Sequence, residues 1–151
     1  VKFVAEVSIA APASRVFAFH EEKDVFLKLL PPWQTTEVLQ PPTSLDVGTR
    51  VVMRMRVGPL WQTMVAEHVA YEPGVMFVDE MRQGPFRHWR HEHRVRPVDD
   101  DHCVLIDDID YELPLGVLGR IGGGWFAKRE LQRLFAHRHA VTKAACEAPS
   151  T

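Results

Sequence analysis

Residues 84–95 read GPFRHWRHEHRV and put three histidines, one tryptophan and three arginines into twelve positions. Three chemistries fit those residue types. His88, His91 and His93 could ligate a metal, the arginines could face nucleic acid, and a histidine beside an acid could move a proton. Which of them survives depends on where the side chains point. On a strand successive side chains go to opposite faces. Alternation puts Trp89, His91, His93 and Val95 on one face and Phe86, His88, Arg90, Glu92, Arg94 and Arg96 on the other. The second set is almost wholly charged and belongs in water. The first set faces inward, and the apparent histidine trio dissolves.

The same parity applies to the neighbouring segments. It expects Trp61, Thr63, Val65, Glu67, Val69 and Tyr71 to face inward from 60–71, although Met64 and Ala66 fall on the other side. From 75–81 it turns Val75, Phe77, Asp79 and Met81 inward, and from 103–111 Cys103, Leu105, Asp107, Ile109 and Tyr111. Simple hairpin registers set Glu67 opposite Asp79, Asp79 opposite Trp89, His91 opposite Ile109 and His93 opposite Asp107. Two facing carboxylates resist joint ionisation, and a carboxylate beside His93 favours its imidazolium. His93, Asp107, Glu67 and Asp79 are therefore the candidate acid–base groups. A zinc site from His91, His93 and Asp107 is conceivable. No further ligand is evident, so neither a metal nor a cofactor is expected.

These residues must be carried by a particular set of elements. Residues 2–9 alternate as a half-buried strand, and two short helical pieces follow, ended by Pro31-Pro32. Strand patterns then run over 34–40, 50–57, 60–71, 75–82, 86–98 and 103–113, separated by Gly, Pro and Asp turns. From about Trp125 the spacing of Leu131, Leu134, Phe135, Val141 and Ala145 predicts an amphipathic helix of roughly 20 residues, about 30 Å long. The expected fold is α+β: a curved antiparallel sheet of about seven strands gripping a long C-terminal helix, with two short helices after strand 1. A gap between such a sheet and its helix is a natural ligand cavity.

The 151 residues suit a single domain spanning 1–151. A net charge of −2 gives no global reason to expect nucleic acid. Arg50, Arg54, Arg56, Arg90, Arg94 and Arg96 read as an outer face mixed with acids and without interleaved aromatics. Cys103 and Cys146, the two cysteines, make no C-x-x-C pair and read as inert thiols in a reduced, cytoplasmic setting. No apolar run reaches the ~18 residues of a membrane span. The chain starts with Val, which leaves room for a trimmed leader. The glycine-rich stretch 116–126 lacks the lysine of a phosphate loop and reads as a flexible lead-in to the last helix that could gate the cavity mouth.

FVDEMRQGPFRHWRHEHRV (77–95), DIDYELPLGVLG (108–119) and RELQRLFAHRH (129–139) resemble the START/SRPBCC ligand-binding superfamily, and within it a bacterial ligand-binding group to which no reaction attaches. The resemblance implies a helix-grip fold: a seven-stranded sheet around a hydrophobic cavity. The expected function is binding of a small hydrophobic molecule, lipid-, polyketide- or steroid-like. Met53, Met55, Val65, Val69, Phe77, Met81, Trp89, Ile109, Tyr111, Leu131, Leu134 and Phe135 would form its walls, and Glu67, Asp79, His91, His93 and Asp107 would orient a polar group. The alternative is a cyclase, dehydratase or isomerase using the same cluster. The expected partner is that ligand, without nucleic acid or a membrane span, and a homodimer stays open.

Overall fold

A computed structural model describes residues 1–57, 59–114 and 122–149. Its order is β1 (Lys2–Ile9), α1 (Ala13–Glu21), α2 (Val25–Lys28), β2 (Thr36–Gln40), β3 (Arg50–Val57), β4 (Leu60–Glu72), β5 (Met76–Gln83), β6 (His88–Asp99), β7 (His102–Glu112) and α3 (Gly124–Glu147). The strands form one antiparallel sheet in the order β1-β7-β6-β5-β4-β3-β2. Every link but β1–β7 is a hairpin or a short connection between sequence neighbours. The first strand closes on the last, with Phe3 opposite Ile109 and Ala5 opposite Asp107.

α3 crosses the concave face and buries Leu131, Phe135, His139, Thr142 and Cys146. That spacing of three and four is the buried stripe of a helix. The expected stripe passed instead through Val141 and Ala145, and Ala145 is exposed. Hydropathy alone chose the wrong phase in the second half, because polar His139 and Thr142 hold the buried positions. The helix also begins at Gly124, so the expected start after the glycines is met within a residue. The lead-in segment 115–121, including most of the stretch read as a gate, lies outside the described residues.

Two apolar clusters pack under α3. One joins Ile9, Val16, Phe17, Phe19, Phe77, Val95, Leu105 and Cys146, and seats α1 on the sheet. The other joins Phe3, Trp89, Ile109, Tyr111, Leu131 and Phe135, with Met81 and Leu134 against it. Between them the interior is neither solid nor apolar. The helix side chains facing that gap are Arg138, His139 and Thr142.

β4 departs from the expected parity. Met64, Ala66 and His68 face the interior, while Glu67 turns outward. Its carboxylate takes Arg50 at 2.8 Å and Arg82 at 3.1 Å. The register shifts between His68 and Ala70, leaving Val69 as the extra residue of a bulge. The bulge resets the alternation so that Tyr71 returns to the inner face, stacked on Phe17. A strand read without its bulge is right on one side of it and inverted on the other. Trp61 accordingly lies outside, 42% exposed, with the Arg54 guanidinium 4.7 Å and that of Arg56 5.7 Å from its ring centre. The outer arginines are thus accompanied by an aromatic ring, contrary to the expectation.

Candidate functional site

β5, β6 and β7 carry the polar interior. Across β6–β7 His93 faces Asp107 and His91 faces Ile109, as the hairpin count expects. Across β5–β6 Asp79 faces His91 and Phe77 faces His93. That register lies two residues from the expected one, so the faces are unchanged. Asp79 meets His68 across β4–β5, not Glu67, which faces Glu80 on the outer side. Glu67 and Asp79 therefore form no carboxylate pair.

Asp107 is the hub. It is 4% exposed. Its Oδ1 accepts from His91 Nε2 at 2.7 Å, and its Oδ2 accepts from His139 Nε2 at 2.6 Å. His93 Nδ1 stands 3.3 Å from Oδ1. The other ring nitrogen of His93 donates to Asp79 Oδ2 at 2.8 Å. A carboxylate has only acceptors, so each imidazole nitrogen at these distances must carry the proton. Flanked by two carboxylates, His93 satisfies both only as an imidazolium.

The electrostatics follow from that geometry. Burial disfavours a charged His93, but its hydrogen bonds to Asp107 and Asp79 outweigh burial and raise its pKa. Burial works on His91 the same way, the neighbouring His93 charge adds to it, and its pKa falls. Burial alone would keep Asp107 and Asp79 protonated. Hydrogen bonds from His139, His91 and His93 hold Asp107 well below the carboxylate range, and the His93 bond lowers the pKa of Asp79. The rings are also packed against each other: His93 stacks on Phe77 with centroids 4.0 Å apart, and His91 lies 3.6 Å from His93.

This network forms the floor of a cavity of about 140 Å³. Asp79, His91, His93, Asp107, His139 and Arg138 line it on one side, and Val51, Met53, Met64, Ala66 and Leu45 on another. α1, α2 and the 42–45 loop close over it through His20, Val25, Phe26 and Leu29. Of the residues expected to form the site, Met53, Phe77, Asp79, Trp89, His91, His93 and Asp107 line this space. Ile109, Tyr111, Leu131 and Phe135, with Met81 and Leu134, pack solidly in the second apolar cluster. Met55, Val65, Glu67 and Val69 do not reach the cavity, the last three because of the β4 parity.

Three histidines and one arginine of the cavity escaped sequence reasoning. His139 follows Phe135 by four positions and Leu131 by eight, so the helical stripe pointed to it. Arg138 is its neighbour, His68 was hidden by the β4 bulge, and His20 closes the space from α1. Two of these have unsatisfied polar atoms. Arg138 Nε and His68 Nδ1 are buried without a hydrogen-bond partner. Burial lowers the pKa of both, against the opposing pull of Asp107 and Asp79 on Arg138 and of Asp79 on His68.

Residues 1–144 match the family described as polyketide cyclase / dehydrase and lipid transport. The chain belongs to this family. Its fold is the helix grip of START-like proteins, as three solved relatives illustrate. A START superfamily protein from Mycobacterium smegmatis aligns at TM-score 0.66 and 15% identity, covering 97% of each chain. Norcoclaurine synthase from Thalictrum flavum, in complex with dopamine and hydroxybenzaldehyde, aligns at 0.72 and 17%, covering 100% of this chain and 89% of the other. The Zhui aromatase/cyclase from Streptomyces sp. R1128 aligns at 0.66 and 19%, covering 97% and 93%. No curated protein matches the chain. At these identities the polyketide cyclase / dehydrase likeness extends to the fold and stops short of a reaction. No helix among the described residues is long and apolar enough to cross a membrane.

Proposed function

We propose that this protein binds a compact amphipathic molecule in the cavity between sheet and α3, with an oxygen acceptor of the ligand set against Arg138. The carrying observation is Arg138 itself: a guanidinium lining the cavity whose Nε is buried and makes no hydrogen bond. An unmet buried donor costs about 1–3 kcal/mol, which a ligand oxygen recovers on binding. Met53, Met64, Val51 and Leu45 offer the apolar wall, and methionines adapt to ligand shape. A cavity of about 140 Å³ matches the space that holds one benzene ring. That favours a single phenolic or benzoate-like ring, the smaller end of the polyketide-like range, over an entire steroid or acyl chain. The remainder of a larger ligand would leave past α2 and the 42–45 loop. Reduced Cys103 and Cys146 favour a cytoplasmic setting for this role.

The test is a titration of EDTA-treated protein with single-ring phenols and benzoates, read by native mass spectrometry and by calorimetry. Arg138→Met should weaken binding at least tenfold, and Met64→Trp should abolish it by filling the space. Binding that ignores both substitutions overturns the assignment.

A second reading, a cyclase, dehydratase or isomerase, is supported by His93 and Asp79 standing 2.8 Å apart on the cavity floor. Substrate turnover that is lost in His93→Gln while ligand affinity persists would favour it over simple binding.

A further inference from the structure

Asp107 does more than neutralise charge. By accepting from His91 Nε2 and standing 3.3 Å from His93 Nδ1 on the same oxygen, it sets which nitrogen of each ring points away from it. The two remaining nitrogens, His91 Nδ1 and His93 Nε2, both turn to one atom, Asp79 Oδ2, at 3.8 and 2.8 Å. A carboxylate has no proton to give, and the second nitrogen of a neutral imidazole is a lone pair. Displacing the proton that His93 holds as an imidazolium leaves His91 Nδ1, His93 Nε2 and Asp79 Oδ2 each with a free lone pair, all within 4.8 Å of one another. A single proton on His93 satisfies the 2.8 Å contact and leaves His91 Nδ1, too far from Asp79 to hydrogen-bond. A metal ion satisfies all three at once.

We propose that Asp79, His91 and His93 bind one divalent first-row transition ion, Zn²⁺ or a chemically similar cation, with Asp107 as the carboxylate that orients both imidazoles from behind. The three donor atoms lie within 4.8 Å of one another. Around an ion bound at roughly 2.0–2.2 Å from each, tetrahedral donors stand about 3.3–3.6 Å apart, so His93 Nε2 and Asp79 Oδ2 open from 2.8 Å while His91 Nδ1 closes slightly from 3.8 Å. Two histidines and a carboxylate suit such ions. The carboxylate behind the imidazoles is the outer support that metal-bound histidines regularly have. His139, bonded to the other oxygen of Asp107 at 2.6 Å, anchors that support to α3. Two buried carboxylates offset the dication, and the Arg138 guanidinium beside them remains as the net charge of the cavity. Three protein donors leave coordination positions open, and all three residues line the cavity, so those positions face the ligand space. The set differs from the one read in the sequence: Asp79 takes the place of Asp107 as ligand.

The full chain, stripped with EDTA and moved to chelator-free buffer, is titrated with Zn²⁺ by calorimetry and with Co²⁺ by visible absorption. One ion per chain is expected, at micromolar or tighter affinity. Binding should vanish in Asp79→Asn and His91→Gln, and weaken roughly 10–100-fold in Asp107→Asn. His102→Gln, which breaks the exposed His102–Asp99 pair, should change nothing. Because the buried substitutions also bear on folding, the unmodified protein supplies a second measurement. In its ¹⁵N imidazole spectrum Zn²⁺ should shift His91 Nδ1 and His93 Nε2 and leave His102 in place. Absence of binding in excess Zn²⁺, binding lost in His102→Gln, or unshifted His91 and His93 nitrogens overturns the site and leaves protons as its occupants. Failure here would not touch the Arg138 titration, which uses metal-free protein.

Discussion

The two faces of β4–β7 hold similar charges and treat them differently. Outside, Glu67 takes both Arg50 and Arg82, Glu80 takes Arg82, and Glu92 takes Arg94. Each pair leaves at least one partner well exposed to water, and the long side chains can exchange partners. Inside, Asp107 meets three imidazoles at fixed distances with almost no solvent. Exposed pairs contribute about 0–1 kcal/mol. A buried pair broken on one side costs about 3–5 kcal/mol, because the remaining groups lose their only compensation. Acid–base density in a strand therefore says little until its face is known.

The contrast is broken most directly at its hub. Asp107→Ala leaves His91, His93 and His139 around an empty position and should cost about 3–5 kcal/mol, read by urea denaturation. A loss under about 1 kcal/mol would mean that water has access to the floor and that the two faces are alike.

The next effect concerns acid. His20, buried under α2 with its Nδ1 bonded to Val16 O at 2.8 Å, has its pKa lowered from 6.5 to about 4, chiefly by burial and further by His93 and Arg138, against the pull of that bond and of Asp107. Between those values the unfolded chain binds the proton and the folded chain does not. Stability from this group is complete above pH 6.5, declines as pH falls toward 4, and levels off below. A shift of about 2.5 units corresponds to about 3 kcal/mol. Stability curves for the wild type and His20→Gln should diverge by that amount across the window. Parallel curves would place His20 in contact with water.

On the outer face Glu67→Gln should change stability by less than about 1 kcal/mol, and a double-mutant cycle with Arg50 should return a coupling of similar size. A coupling of several kcal/mol would erase the distinction between faces. The smallest expected signal is a thiol measurement. Burial raises the pKa of both cysteines, that of Cys146 to about 11. Neither should react with a disulfide reagent at neutral pH until the chain unfolds.

Much of this molecule could be read along the chain. Alternation placed Trp89, His91, His93, Asp79 and Asp107 on one face, and the turn residues gave the order of elements. Each depends only on nearest neighbours in sequence, and the two-residue slip in the β5–β6 pairing left every face unchanged. The β4 bulge was not legible, because one extra residue has no compositional signature, and it took Glu67 out of the interior and brought His68 in. His139 and Arg138 were obscured for another reason: they are polar residues in a buried helical stripe, and hydropathy passes over them.

The sequence by itself determined the local periods, and with them the identity of the inward acids and bases on β5–β7. Only the tertiary structure decided what those groups do to one another. It brought α3 across the sheet so that His139 closes on Asp107, stopped the two apolar clusters short of meeting, and left Arg138 Nε without a hydrogen-bond partner in the gap. Periodicity is a short-range property of the backbone. A cavity and a shared carboxylate arise from packing between segments as far apart as β7 and α3, and no local rule contains that information.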